Sequence, residues 1–182
     1  MKENQNFNFQ PSLSGNTISL RPIHEDDFAA TYACASDKRI WAGHPSPLRY
    51  QQDEFEKWFS AAMACKTCVV AIDNASGDII GSSRYYLLDT IADDISIGFS
   101  FLACAYWGGD TNFEFKQLML DHAFEHYDRV WFHISPDNIR SQKAIVKIGA
   151  EFSHEEDLKI SPTMDCWYCY SIDKAKWQSL RR

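Results

Sequence analysis

The chain has 182 residues, of which 45% are hydrophobic and 24% are charged. This balance excludes a disordered protein and favours one domain with its own core. No run approaches the roughly 20 apolar residues of a membrane-spanning helix, and the polar N-terminus lacks the apolar segment of a signal peptide. We expect a cytoplasmic protein with no membrane contact, a flexible arm over residues 1–16 and one domain over residues 17–182.

The first half alternates short strands and amphipathic helices. Spacing of apolar residues predicts a strand at 17–21, helices at 24–36 and 51–64, and strands at 67–72 and 79–88. A further strand at 94–103 alternates sharply. One face carries Ile95, Ile97, Phe99 and Phe101. The other face, small and polar enough to line a site, carries Asp94, Ser96, Gly98 and Ser100.

The second half predicts a helix at 112–127, a strand at 129–135, a helix at 141–148 and strands at 150–154 and 165–173. Strands separated by helices indicate parallel pairing, whereas strands joined by short turns indicate antiparallel pairing. The order therefore predicts an α+β fold with a mixed, mostly antiparallel sheet. Its parallel pair is expected around the helix at 112–127.

The formal net charge is −7, and no basic stripe suited to phosphates is visible, so a nucleic-acid partner is not expected. Two C-x-x-C pairs, Cys65–Cys68 and Cys166–Cys169, have a zinc-ligand spacing. The second pair lies in a strand pattern, where residues three apart face opposite ways, so we predict reduced thiols and no metal. His122 and His126, four apart on a helix, lack a third ligand nearby.

A strand at 94–103 leads through Tyr-Trp-Gly-Gly-Asp-Thr-Asn directly into a helix. Glycines let the backbone turn so that its N–H groups converge, and the start of a helix adds the positive end of its dipole. This layout predicts an anion site. It lacks the Gly-Lys-Ser/Thr of a P-loop and the G-x-G-x-x-G of a dinucleotide fold.

Residues 106–116 resemble the acetyl-CoA loop and helix of the GNAT acetyltransferase superfamily. Residues 138–152 resemble the Asn-x-x-Ser signature, ending in Gly-Ala, of its RimJ/RimL-like branch, which includes ribosomal-protein N-terminal acetyltransferases. The resemblance implies six to seven strands, helices on both faces of the sheet, and a gap where the fourth and fifth strands splay apart.

The resemblance also implies acetyl-CoA as acetyl donor. Its pantetheine arm is expected along Phe101, Leu102 and Ala103, with Asn138 beside it. The pyrophosphate is expected on the backbone N–H groups of the turn, which are those of Trp107, Gly108, Gly109, Asp110, Thr111 and Asn112. Asp110 stands where many relatives carry a glycine, and its carboxylate would oppose an anion.

Attack of an amine on a thioester needs a proton acceptor, donors for the oxyanion and a group serving the leaving thiolate. By resemblance, Ser141 serves the thiolate and a backbone N–H near Leu102 serves the oxyanion. Ser96 stands where relatives often carry a glutamate, and Asp94 is the candidate replacement for that base. Ile145 stands where many relatives carry a tyrosine, so an acid at that place is excluded.

The acceptor pocket is expected to involve Trp41, His44, Arg84 and Tyr86. The predicted function is acetyl transfer to a primary amine, on a protein N-terminus or a small molecule, by a monomer or homodimer. The alternative is a catalytically weak or inactive acyl-CoA-binding module that acts through a partner.

Overall fold

The computed structural model describes residues 7–91, 93–160 and 165–180. Their strands are β1 (Leu13–Ser14), β2 (Ile18–Pro22), β3 (Cys68–Asp73), β4 (Ile79–Tyr86), β5 (Ile95–Leu102), β6 (Arg129–Ile134), β7 (Glu151–Leu158) and β8 (Asp165–Asp173). They form an eight-stranded sheet in the order β1-β2-β3-β4-β5-β6-β8-β7. The mixed, mostly antiparallel α+β fold predicted from the sequence is confirmed, with one strand more than expected.

The helices are α1 (Phe28–Ala35), α2 (Gln52–Cys65), α3 (Thr111–Ala123), α4 (Ile139–Lys147) and α5 (Lys174–Leu180). The sequence did not predict α5. The turn before α1 is a 3-10 turn rather than the start of the predicted helix. The Asp27 carboxylate there accepts hydrogen bonds from the His24 N–H and the Arg21 guanidinium. No helix in the described parts of the chain combines the length and apolar character needed to cross a bilayer.

The core lies on both faces of the sheet. On one face, α3, α4 and α5 contribute buried side chains to the largest cluster, together with strand residues such as Leu20, Val69 and Ile95. On the other face, α1 and α2 pack with Val70 and Phe101. Neighbouring residues of one strand, such as Val69 and Val70, thus enter different clusters because side chains alternate across a strand.

The sheet opens between β5 and β6. These strands form the parallel pair predicted around α3, but only Ile95–Val130 and Ser96–Trp131 are paired. Beyond Ser96 the rest of β5 has no partner on that side, although it stays paired with β4 through Leu102. Because β1 was not predicted from the sequence, the predicted fourth and fifth strands are β5 and β6. The predicted splay therefore lies between β5 and β6.

A bulge in β5 corrects the predicted alternation. Phe99 has a φ of 54°, and the β4–β5 register shifts between Ser82 and Arg84. The extra residue reverses the faces, so Phe101 joins the α1–α2 side while Ile97 lies on the α3 side. The predicted common face of Ile95, Ile97, Phe99 and Phe101 is therefore wrong beyond the bulge.

The segment predicted as a flexible arm is packed where it is described. Phe7 is buried against Tyr85, and its ring also contacts His122 and His126. The His122 Nε2 lies 2.8 Å from the Asn8 carbonyl oxygen. These two histidines thus hold the N-terminal segment, which corrects the prediction for residues 7–16. Residues 1–6 lie outside the described ranges.

Candidate active site

The turn before α3 presents backbone N–H groups that have no acceptor within the described part of the chain. Gly108 has a φ of 79°, which favours glycine, and open space surrounds it. The first hydrogen bond of the helix runs from the Glu114 N–H to the Asp110 carbonyl oxygen. Asp110 makes no side-chain cap and is exposed. The first-turn N–H groups from Thr111 therefore remain available to an anion.

Trp107 plays a different part from the one predicted. Its backbone N–H already donates to the Cys104 carbonyl oxygen at 3.2 Å, so it is not free to bind a phosphate. Its indole N–H donates to the Leu102 carbonyl oxygen at 2.8 Å, on the free edge of β5. The Arg140 guanidinium lies 4.2 Å from the centre of the Trp107 ring.

Arg140 connects α4 to the loop before α2. Its guanidinium donates to the carbonyl oxygens of Arg39, at 2.9 Å, and Ile40, at 2.5 Å. Because it also covers the Trp107 ring, it spans the cleft mouth from the β6 side to the β5 side. This cation beside the uncovered N–H groups suits a phosphate.

The start of α4 is held by Asn138. Its side-chain oxygen accepts a hydrogen bond from the Ser141 N–H at 3.2 Å, and the residue is buried. Asn138 is thus the helix cap. The Ser141 hydroxyl has no hydrogen-bond partner among the described residues and stays free to serve a ligand.

At the point where β5 and β6 part, two side chains meet over the sheet. The Tyr86 hydroxyl lies 2.8 Å from the His133 Nδ1. Gly98 permits this, because a Cβ there would lie 2.9 Å from the Tyr86 ring. Burial lowers the pKa of His133 to about 4, so the imidazole is neutral at physiological pH. Burial also raises the pKa of the Tyr86 hydroxyl, which remains protonated.

The surroundings differ between Ser96, which stands where relatives often carry a glutamate, and Asp94, the candidate base in its place. Ser96 is fully buried at the last paired position of β5 and β6, level with Tyr86 on β4. Asp94 accepts a hydrogen bond from the Trp131 indole at 2.8 Å. The Trp131 ring in turn stacks on the His133 ring, with ring centres 6.3 Å apart. The Asp94 carboxylate is therefore engaged by an indole that separates it from His133.

The predicted acceptor residues surround one side of the cleft. Trp41 is only 1% exposed and donates its indole N–H to the Ala35 carbonyl oxygen, so it shapes the pocket without offering its ring face. His44 packs edge-on against Trp41 and accepts a hydrogen bond from the Ser46 N–H. Burial, with Arg49 and Arg140 nearby, lowers the His44 pKa to about 3.

Arginines give this side of the cleft a positive charge. The Arg84 guanidinium lies 3.3 Å from the centre of the Phe99 ring, and its Nε is buried without a hydrogen bond. Arg49 lies over Trp41, and burial together with Arg84 lowers its pKa to about 10. Within the described ranges, neither arginine has a carboxylate within 4.0 Å. The site is thus locally cationic in a chain of net charge −7.

Another cation lies beneath the cleft. Lys116 on α3 is 5% exposed, and its Nζ contacts the hydroxyls of Ser83 and Ser100. Burial lowers its pKa to about 7. Ser100 belongs to the β5 bulge and is exposed.

His133, Lys116 and Arg140 were missed by the sequence analysis. For two of them, the sequence carried a local signal. His133 is the polar residue in the run Val-Trp-Phe-His-Ile. Lys116 falls outside the polar stripe of its helix, which comprises Glu114, Gln117 and Asp121. Arg140 had none, because nothing local predicts a contact with residues 100 positions earlier.

The two C-x-x-C pairs do not assemble. In the part of the chain that the structure describes, the group of side chains close enough to share a metal ion is His154, Glu156 and Cys169. Cys166 is exposed whereas Cys169 is buried, as strand geometry predicts. The four thiols therefore do not share one ligand cluster among the described residues.

Known proteins resemble this chain in sequence and in fold. Residues 17–151 match the family described as "Acetyltransferase (GNAT) domain". No curated protein matches the sequence. Among solved structures, a GCN5-related N-acetyltransferase from Brucella melitensis is similar with a TM-score of 0.78 at 20% identity, covering 97% of this chain and 87% of that one.

Two further structures share the fold at low identity. Mycobacterium smegmatis RimJ, in complex with CoA-disulfide, has a TM-score of 0.67 at 17% identity, covering 91% of this chain and 87% of that one. The ribosomal-protein-S5-alanine acetyltransferase from Vibrio fischeri has a TM-score of 0.65 at 16% identity, covering 92% and 98%. With the family match spanning most of the chain, the protein belongs to the GNAT acetyltransferase family.

Proposed function

We propose that this chain is an acetyl-CoA-dependent N-acetyltransferase of the RimJ/RimL-like branch, acting on a primary amine of a protein N-terminus or a small molecule. The observation that carries the proposal is the uncovered N–H groups at the start of α3, beside a cleft where β5 has an unpaired edge. An extended amide chain suits an open strand edge, and a phosphate suits a helix start. The cytoplasmic setting and the monomeric or dimeric state remain predictions.

The donor would be held along this path. Its pantetheine arm would follow the backbone of Phe101, Leu102 and Ala103. Its pyrophosphate would bind the turn from Gly108 to Asn112 with help from Arg140, which replaces the predicted N–H of Trp107. When bound, the donor supplies an acetyl thioester open to attack by an amine.

The chain's own groups supply the rest of the chemistry. The neutral His133, oriented by Tyr86, is placed to take the proton that the acceptor nitrogen loses. A backbone N–H near Leu102 is the oxyanion donor, and the free Ser141 hydroxyl serves the leaving thiolate. The Ser96 hydroxyl is buried and has no hydrogen-bond partner among the described residues, so no role in the chemistry is assigned to it. Direct base catalysis by Asp94 is not part of this proposal, because its carboxylate accepts the Trp131 indole N–H.

The test is incubation with acetyl-CoA and a broad amine panel that includes N-terminal peptides, while free thiol is followed. Thiol release that depends on the amine, with the acetylated product identified by mass, is expected. Thiol release no faster than in the amine-free blank, across the panel, would contradict catalysis. Tight CoA binding by calorimetry without turnover would instead favour the non-catalytic acyl-CoA-binding module. Ile145 favours that alternative, since it is buried where many relatives carry a tyrosine.

Asp110 is expected to weaken donor binding. Its exposed carboxylate caps nothing and stands at the start of the anion site, so it opposes a diphosphate through solvent. Replacement of Asp110 by asparagine should tighten CoA binding about 2- to 10-fold at low salt. Calorimetry at two salt concentrations checks this. Equal affinities of wild type and Asp110→Asn at low salt would show that the carboxylate points away.

Arg49 and Arg84 have no carboxylate within 4.0 Å among the described residues, and this favours an acceptor that carries an anionic group besides its amine. Neighbouring guanidiniums without a carboxylate are costly unless an anion neutralises them. Arg84→Met should raise KM about 10-fold or more for an amine bearing a carboxylate, and change KM little for the matched amide. Steady-state kinetics with the pair of acceptors checks this. A similar rise for both acceptors would indicate a packing defect.

A further inference from the structure

A buried lysine, Lys116, lies against the β5 bulge. The Lys116 Nζ donates to the Ser100 hydroxyl oxygen and, at 3.4 Å, to that of Ser83. The two hydroxyl oxygens lie 2.7 Å apart, and Ser83 donates to the Gly98 carbonyl oxygen at 3.2 Å. Within the described residues, no carboxylate lies within 4.0 Å of Lys116.

This group has donor capacity to spare. An ammonium carries three N–H donors, and the described residues offer it two acceptors. Burying a cation is costly unless it is paired, and lysine is rarely buried without a partner. Lys116 is therefore suited to interact with a negative charge that develops on a bound substrate.

The position of Ser100 shows where such a charge could arise. Ser100 is exposed and lies four residues beyond the last β5–β6 pair, on the stretch of β5 that borders the cleft. It lies on the α3 side of the sheet with Lys116. On the opposite side, Tyr86 lies level with the last pair, and its hydroxyl meets His133, which lies two residues beyond that pair on β6. An acyl group between β5 and β6 would lie between the two sets.

We propose that Lys116 is a positioning residue for acyl transfer, holding the Ser100 hydroxyl and a positive charge toward the acyl oxygen as that oxygen becomes negative. The inference rests on the proposed function. The acceptor nitrogen's lone pair forms the new C–N bond while the carbonyl π electrons move to oxygen. Re-forming the carbonyl expels the thiolate, and the proton lost by nitrogen goes to His133. Lys116 keeps its proton throughout.

The kinetic test compares Lys116→Met, Lys116→Arg and Ser100→Ala, with the exposed Lys57→Met as matched control. Lys116→Met should lower kcat about 10- to 100-fold with little change in KM for acetyl-CoA, as loss of an oxyanion donor does. Ser100→Ala should lower kcat in the same direction, and Lys57→Met should not. The ratio of Lys116→Arg to wild-type kcat should rise between pH 6 and 9, since arginine stays charged when lysine loses its proton.

A binding test needs no turnover. S-carboxymethyl-CoA carries a carboxylate where the acetyl group would be, and calorimetry compares its affinity with that of CoA. The wild type should prefer the carboxylate-bearing compound, and Lys116→Met should reduce that preference at least 10-fold while CoA itself binds unchanged. The preference should also shrink from pH 6 to pH 9 in the wild type.

The outcomes separate the two proposals. If the wild type binds CoA but Lys116→Met keeps the wild-type kcat and the wild-type preference for S-carboxymethyl-CoA, this inference is wrong and the proposed function stands. If the wild type does not bind CoA, the proposed function fails and this inference fails with it. If Lys116→Arg does not fold, Ser100→Ala and the pH dependence of binding decide.

Discussion

Replacing Lys116 by methionine is expected to raise the free energy of unfolding by about 2–4 kcal/mol at pH 6. The folded pKa of Lys116, lowered to about 7 from its ordinary 10.5 by burial, means that burial penalises the charged form. Methionine keeps the length of the side chain in a site that is otherwise close-packed. Urea denaturation followed by circular dichroism measures the change.

The stabilisation by Lys116→Met should depend on pH, because the pKa of Lys116 differs between the folded and the unfolded chain. Below pH 7 both the folded and the unfolded Lys116 are protonated, and the full penalty of burial is present. Between pH 7 and 10.5 the unfolded chain binds more protons than the folded one, so stability rises with pH and the penalty fades. The gain from Lys116→Met should therefore be about half as large at pH 9 as at pH 6. Lys57→Met should show no such change.

A gain in stability together with a loss of activity would identify Lys116 as a residue kept for function. If the variant were instead less stable than wild type at pH 6, the two serine contacts would outweigh the cost of burying the charge. The lysine would then be structural.

Replacing His133 by phenylalanine is expected to lower kcat about 100-fold, with little change in the affinity for CoA. His133 meets Tyr86 where β5 and β6 part, and its pKa of about 4 keeps it able to accept a proton throughout the physiological range. Tyr86→Phe should have a smaller effect in the same direction, since it removes the hydrogen bond that orients the imidazole. Steady-state kinetics between pH 6 and 9 measures both.

His154→Asn is the matched control, because His154 is an exposed histidine on β7 whose ring packs on Trp131. Its kcat should stay within about 2-fold of wild type. Equal losses in His133→Phe and His154→Asn would indicate a general disturbance of this face. If His133→Phe kept the wild-type kcat, His133 would not be the proton acceptor, and solvent would take the proton instead.

The sequence predicted the fold, and the turn before α3, where the signal is local. A strand, a Gly-Gly turn and a helix are contiguous, and the structure places Gly108 in a left-handed turn before α3. Apolar spacing likewise located α1 to α4, and the order of the elements predicted the parallel pair around α3. Resemblance added the splay, which is seen as pairing that stops at Ser96.

The remaining features depend on contacts between distant residues. Alternation along β5 gave no sign of the extra residue at Phe99, because a bulge shows only in the pairing with β4. The hydrogen bond between Asp94 and Trp131 could not be read from the sequence either, because it joins residues 37 positions apart. The packing of Phe7 against His122 joins segments about 115 residues apart, and polar composition alone suggested an arm.

The central claim is that acetyl-CoA binds in the cleft between β5 and β6, and a crystal structure of the protein with CoA tests it most directly. The claim predicts pantetheine amides hydrogen-bonded to the β5 backbone near Leu102, and a diphosphate on the N–H groups from Gly108 to Asn112 with Arg140 beside it. It also predicts the CoA sulfur at the end of the cleft where Ser100 and His133 lie. CoA bound elsewhere, with the start of α3 empty, would contradict it.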